Sequence, residues 1–329
     1  MLKKVLLIGL ILALSGSIVS ALEKGDAPGP PAGFVIPPLH PKDTELATRQ
    51  LGEGVYALLS LKPFVDNSGF VVGEKGVLVI DAHVSVGMAK KIQEAVRKVT
   101  DKPILYLVNT NYHGDHTFGN DSFPKETKIV AHVKTAERMR AIEGEKEFLL
   151  PLLENDRELL ADVRLRLPDV VFERFLHIDL GGRIVEIHHF GQGNTPGDTI
   201  VYLPESRVAW TGNFIIGEGT IPFLIEGKAG EWIQSLSRLT RRLAVGAIVP
   251  GHGAMTDSRI VGRYLRYLNA LLGTIREEIR EGKTEEQVLA DNPLSGEFLP
   301  ADESATEEAA LLRGIHLWNL QRVYWDLAK

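Results

Sequence analysis

Between Leu51 and Ala254 the chain is written as short β-rich runs bounded by glycine, in two groups that each contain one amphipathic helix. The first group is Gly54 to Leu61, Gly69 to Gly73, Gly76 to Asp81 and Pro103 to Val108, with Met88, Ile92 and Val96 recurring at helical spacing between its last two runs. The second is Arg183 to Phe190, Asp198 to Leu203, Arg207 to Thr211 and Gly246 to Val249, with Trp232, Leu236, Leu239 and Leu243 on a helix before its last run. Runs of this kind form strands, and apolar positions three or four apart form one face of a helix. A sheet has to bury a face against another layer. Two strand groups, each with its own helix, therefore predict an α/β fold in which two sheets pack face to face and helices cover both outer faces, an αββα sandwich.

The flanks read differently. Lys3 and Lys4, the apolar run Val5 to Leu14 and the small residues Ser20 and Ala21 have the layout of a signal peptide over residues 1–21. The apolar part is shorter than the roughly 20 residues of a spanning helix, so a periplasmic or secreted protein with no stable membrane insertion is expected. Residues 22–50 form a leader with Pro28, Pro30, Pro31, Pro37, Pro38 and Pro41, which excludes a helix or central strand. The folded body is placed at residues 51–255. Within it, Thr135 to Asp169 is charged and leucine-rich and is expected to form one or two helices over the surface or over a site. In residues 256–329, Ile260, Tyr264, Leu268, Leu271 and Ile275 mark one helix. A second helix opens on a Ser304 to Glu307 capping pattern and carries Leu311, Ile315, Trp318, Arg322 and Trp325. Both are expected to pack on the body, and their tryptophans offer a candidate homodimer surface.

The chain has 37 basic and 43 acidic residues and no cysteine. An acidic balance with no Lys/Arg block leaves no electrostatic footprint for nucleic acid and points to a small-molecule substrate. Without cysteine there is no disulfide, no thiolate nucleophile and no sulfur-ligated zinc, so any metal is held by nitrogen and oxygen. Asn109 to Asn120, reading NTNYHGDHTFGN, supplies such donors. It directly follows a strand, so His113, Asp115 and His116 stand on a loop at a sheet edge as part of a zinc shell. Three more motifs fall at strand ends: GQGNTPGD from Gly191, WTGN from Trp210 and PGHG from Pro250.

This order of motifs resembles the metallo-β-lactamase superfamily of metallohydrolases, over roughly Leu51 to Ala254 and followed here by a C-terminal helical extension. The resemblance implies the same αββα sandwich and a zinc-activated water as nucleophile. It implies that Asp81 is the buried aspartate at the end of an early strand. His113, Asp115 and His116 match the second histidine, the aspartate and the third histidine of the H-x-H-x-D-H loop, and His252 matches the last histidine. Asn111 stands at the first loop histidine, Asn194 at the histidine of the G-H-T turn and Asn213 at the bridging aspartate. In two-metal members the first zinc uses the positions of Asn111, His113 and Asn194, and the second those of Asp115, His116 and His252. The implied cofactor is one zinc per chain at Asp115, His116 and His252, with iron or manganese as harder second choices. One single-zinc subclass also has asparagine at the first loop position but relies on a cysteine that this chain lacks.

The expected function is an exported zinc hydrolase acting on an ester, thioester, lactone or amide, weak β-lactamase activity included. The alternative is a non-catalytic or accessory periplasmic binding protein on the same fold with a degenerate metal site. In the catalytic reading His113, freed from ligation, is the general base beside Asp115, and Asn194 and Asn111 donate hydrogen bonds to a developing oxyanion. Phe64 and the stretch Gly217 to Ile225 are expected as apolar walls. His83 and His132 are candidates to support the site. His188 and His189 are adjacent on a strand and point to opposite faces, so at most one approaches it.

Overall fold

The computed structural model describes residues 29–31, 34, 39, 42, 44–62, 64–300 and 306–329. The expected signal peptide, most of the proline-rich leader and Ser304 lie outside the described residues.

The first sheet holds seven strands in chain order: β1 (Leu46–Gly52), β2 (Val55–Ser60), β3 (Ser68–Val72), β4 (Val77–Ile80), β5 (Ile104–Val108), β6 (Lys128–His132) and β7 (Val170–Phe172). β1 to β4 form an antiparallel meander and β4 to β7 run parallel. The second sheet has the order β12-β11-β10-β9-β8, built from β8 (Phe175–Asp179), β9 (Ile184–His188), β10 (Ile200–Leu203), β11 (Val208–Trp210) and β12 (Ala247–Val249). Only its β11–β12 pair is parallel. Parallel neighbours require a crossover. Helix α1 (Val86–Val99) supplies it between β4 and β5. The other helices are α2 (Gly114–Thr117), α3 (Val133–Met139), α4 (Ile142–Leu149), α5 (Glu158–Ala161), α6 (Ala229–Arg242), α7 (Arg259–Arg280), α8 (Glu285–Asp291), α9 (Ser295–Phe298) and α10 (Glu307–Ala328), with α6 crossing from β11 to β12.

The expected layers are present. Val55, Val71, Ile80, Val108 and Val130 of the first sheet share one core with Val185, Ile187, Val201, Leu203 and Trp210 of the second. Gly69 lets the sheets meet closely, since a Cβ there would lie 2.1 Å from Trp210 Nε1. On the outer face of the first sheet, Ala89, Ile92 and Val96 of α1 pack on Phe70, Val79 and Leu107. On the outer face of the second, α6, α7 and α10 build a larger core over Ile200, Tyr202 and Ile248.

The structure departs from the sequence reading at three places. Leu46 to Gly52 forms edge strand β1, so the fold begins inside the leader expected at residues 22–50; the polar LATRQLG sequence has a half-exposed to exposed burial pattern and gives no apolar alternation. Strands β7 and β8 were not foreseen because they are short and partly exposed, with Val171, Phe175 and His177 open to solvent. Helix α10 is capped by Thr306, whose side chain accepts from Ala309 N, and starts at Glu307, where the capping pattern had placed a glutamate inside the first turn. Among the described residues no helix is long and apolar enough to cross a membrane.

Candidate metal centre

One edge of the sandwich collects the polar motifs. The chain leaves β4 at Asp81, β5 at Asn109, β11 at Thr211 and β12 at Pro250, and it enters β3 from Asp66 and Asn67. Asn67 staples two of these turns together. Its backbone N donates to Gly251 O at 2.7 Å, and its amide donates to Pro250 O at 3.1 Å and Gly253 O at 2.9 Å. The clamp brings Asp66 into a β-bridge with His252.

Asp66, Asp115, His116 and His252 each offer one ligand atom, and these atoms lie within 4.8 Å of one another. Asp115, His116 and His252 are the residues expected from the motifs; Asp66 was missed. It stands alone in sequence, and only the Asn67 staple, a tertiary contact, brings it to the site. Both oxygens of Asp66 and Oδ1 of Asp115 are buried without a hydrogen-bond partner. Burial pushes the Asp66 carboxyl well above the ordinary carboxylate range, and the charges of Asp115 and Asp81 push it further. Burial also acts upward on Asp115, but His116, His252 and His113 outweigh it and hold that carboxyl below its usual value. Orphaned anionic oxygens beside imidazoles are a donor set that a divalent cation fits, because it satisfies both the repulsion and the missing partners.

The imidazoles are oriented by the residues behind them. Asp81 accepts from Thr110 N at 2.7 Å, Thr110 Oγ1 at 2.6 Å and His116 Nδ1 at 2.9 Å, while His116 Nε2 lies 3.1 Å from Asn213 Oδ1 and 3.6 Å from Asp66 Oδ1. Burial lowers the basicity of His116, but Asp81 and Asp115 overcome it and push the group up to about 9. A cation at Nε2 would replace that proton. His252 donates from Nδ1 to Phe64 O at 2.8 Å, with Nε2 3.7 Å from Asp115 Oδ2, and burial lowers it to about 4, so it is neutral and ready to ligate. His83, as one of the expected supporting residues, sits 4.0 Å from Asp66 and is lowered to about 3 by burial. Asp81 (φ 60°) and His83 (φ 68°) both occupy the left-handed region, which residues other than glycine enter uncommonly.

The three asparagines are placed as follows. Asn111 Oδ1 accepts from His113 N at 2.8 Å and its Nδ2 is buried without a partner. Asn194 donates from Nδ2 to Phe223 O at 2.8 Å, and its Oδ1 is unpartnered. Asn213 faces His116. His113 lies 3.2 Å from Glu145 Oε1 through Nδ1 and keeps Nε2 unpartnered; burial lowers its basicity, but Glu145 and Asp115 raise it above the ordinary histidine value. His188 pairs with Glu186 and His189 stacks 3.9 Å from His132, so none of these three belongs to the cluster.

Above the cluster opens a cavity of about 690 Å³, its mouth included. His113, Asp115, Asn194, Asn213 and His252 form its floor. Its walls are Leu39 and Phe64, then Phe148, Leu149 and Leu152 from α4 and the turn after it, then Ile216, Phe223 and Ile225, and finally Leu311 and Ile315 of α10. The segment Thr135 to Asp169 therefore covers the site, and Phe64 and part of Gly217 to Ile225 are walls. Helix α10 also holds the wall in place. Asn319 accepts from Leu224 N at 2.9 Å and donates to Pro222 O at 2.7 Å, and Arg322 donates to Ile225 O at 3.0 Å. Trp318 packs on Phe34 and Phe223 with ring centres 5.0 and 5.3 Å away, so it is an internal anchor and not a free dimer contact.

The fold and the edge cluster define a metallohydrolase architecture. A model of the metallo-beta-lactamase superfamily matches residues 61–252, and the chain belongs to that superfamily. A Caenorhabditis elegans protein called beta-lactamase-like protein 2 homolog is 26% identical over 268 residues, covering 77% of this chain and 79% of that protein. The metallo-beta-lactamase type 2 of Bacillus cereus is 23% identical over 220 residues, 64% of this chain and 78% of its own length. Among solved structures, a metallo-beta-lactamase from Pontibacter korlensis superposes with a TM-score of 0.54 at 18% identity, covering 68% of this chain and 99% of that one. Members of this superfamily bind metal, usually zinc, and membership supports a hydrolase-type function acting on a small molecule.

Proposed function

We propose that this chain is an exported hydrolase that uses one divalent metal ion, zinc first among the candidates, to cleave an ester, thioester, lactone or amide. The observation that carries the reading is the cluster of Asp66, Asp115, His116 and His252, with three buried carboxylate oxygens that have no partner. These four residues would hold the ion. A bound divalent ion lowers the pKa of water toward about 7 and polarises a carbonyl. The chain's own groups do the rest. Asp81 keeps His116 in one orientation, and Glu145 orients His113 so that its Nε2 can take or hold a proton above Asp115. Asn111 Nδ2 and the second amide hydrogen of Asn194 are free to donate to a carbonyl oxygen that gains charge. The asparagine-substituted set at Asn111, His113 and Asn194 has one imidazole, which argues for a single ion.

Metal analysis of the purified chain is expected to give about one ion per chain, with His116→Ala abolishing it and chelation abolishing turnover of an ester, lactone, thioester or β-lactam panel. Two tightly bound ions, no ion, or turnover that survives both chelation and His252→Ala would overturn the reading. Export is tested separately by N-terminal sequencing of protein recovered from the native host, where a start at Leu22 is expected.

A further inference from the structure

The walls of the cavity say what kind of molecule enters it. They come from five separate segments of the chain, and each contributes only aliphatic or phenyl groups: Leu39, Phe64, Phe148, Phe223, Leu311 and Ile315 are representative. Among the described residues no lysine or arginine lines the cavity. Two guanidinium groups near its wall are already engaged: Arg138 pairs with Glu226 at 2.7 Å, and Arg322 is spent on the carbonyls of Ile225 and Glu226 and on Asp326. The floor offers an anion only the His113 imidazole and the Asn194 amide, beside the carboxylate of Asp115. Asp66 and Asp115 together carry two negative charges, which balance a divalent ion held between them. A substrate carboxylate, sulfate or phosphate would lose its water in an apolar chamber without meeting a counter-charge. An uncharged chain would gain by the same transfer, because the aliphatic and phenyl lining takes its apolar surface out of water.

We infer that the substrate is an uncharged carbonyl compound with an apolar acyl chain, the chain lying between α4 and α10 and the carbonyl over Asp115 and His252. The inference deepens the hydrolase reading and rests on it for the reacting group, but the apolar chamber exists whether or not an ion is bound. Charge selection of this kind works by penalising the wrong ligand as much as by favouring the right one.

The test is binding of two homologous series, straight-chain primary amides and the matching carboxylates, to the full chain by calorimetry, once after chelation and once with one equivalent of zinc. The amides are expected to bind about fourfold more tightly per added methylene until the chamber is full, and each carboxylate at least tenfold more weakly than its amide. Ile225→Lys, on the partly exposed wall, is expected to narrow or reverse the preference for amide over carboxylate. Ile315→Trp is expected to shorten the longest chain accepted, with its melting curve as the folding control. Affinity that does not change with chain length, or carboxylates that bind as well as amides, would overturn the inference even if the protein holds one metal and turns over esters. A length-dependent series in a protein that binds no metal would sustain the chamber and defeat the hydrolase reading instead.

Discussion

Asp66 and Asp115 are neighbours with opposite electrostatic situations, so neutralising each should move stability in opposite directions. Their nearest donor atoms lie within 4.8 Å. At an effective dielectric of about 20, two full charges at that distance repel by about 3.5 kcal/mol. Asp66 Oδ1 lies 3.3 Å from His252 Nδ1 and 3.6 Å from His116 Nε2 without a hydrogen bond, and burial with the charges of Asp115 and Asp81 pushes its carboxyl up, whereas His116, His252 and His113 hold the Asp115 carboxyl down. Asp66→Asn removes the repulsion but leaves a buried amide that costs about 1–3 kcal/mol of its own. The expected net is a metal-free protein more stable by about 1–2 kcal/mol, or about 2–4 °C in Tm for a chain of this size. The pH dependence follows from the raised carboxyl. A carboxyl whose folded value lies above its unfolded value of 3.8 costs stability as pH climbs from the lower to the higher value, so the variant's advantage should vanish below about pH 4 and grow as pH rises above it. Asp115→Asn should do the reverse at neutral pH, because its carboxyl is held below the ordinary value and its charge is stabilising there. In zinc the sign for Asp66→Asn turns over: loss of one of two anionic ligands is expected to weaken metal affinity by at least tenfold. Thermal melts in chelator and in stoichiometric zinc, with a chromophoric-chelator titration, measure all of this. If Asp66→Asn melts lower than the parent in chelator and binds zinc equally well, Asp66 is a structural residue and the four-ligand cluster is wrong.

Three further substitutions probe the supports. Asp81→Asn removes the charge that receives three hydrogen bonds from Thr110 and His116, and urea unfolding should show a loss of about 2–3 kcal/mol with a 10- to 100-fold fall in metal affinity. Glu145→Gln takes away the largest influence that raises His113, so NMR titration of the metal-free protein should find that imidazole moved toward its ordinary value. Asn319→Ala leaves Leu224 N and Pro222 O unpaired and is expected to cost about 2 kcal/mol, with faster hydrogen exchange confined to the wall at residues 222–226.

What the sequence made legible and what it hid divide along a physical line. His113, Asp115 and His116 could be read because three donors sit within one loop after one strand, and His252 because glycine and proline mark its turn. The layers could be read because Met88, Ile92 and Val96, or Trp232, Leu236 and Leu239, repeat with the period of a buried helical face. Asp66 carries no such local mark. Its role is created by Asn67, whose bonds reach Pro250, Gly251 and Gly253. The same is true of α10, whose Leu311, Ile315 and Trp318 read as an ordinary packing stripe although two of them wall the cavity and the third pins Phe34 and Phe223. Apolar spacing reports that a face is buried and does not say whether protein or ligand covers it. In this chain the carboxylate beside His252 and the neutral walls above it belong together. A cluster with amides at Asn111, Asn194 and Asn213 beside it and two carboxylates, Asp66 and Asp115, would balance one dication, and such a floor suits a chamber lined by leucine, isoleucine and phenylalanine.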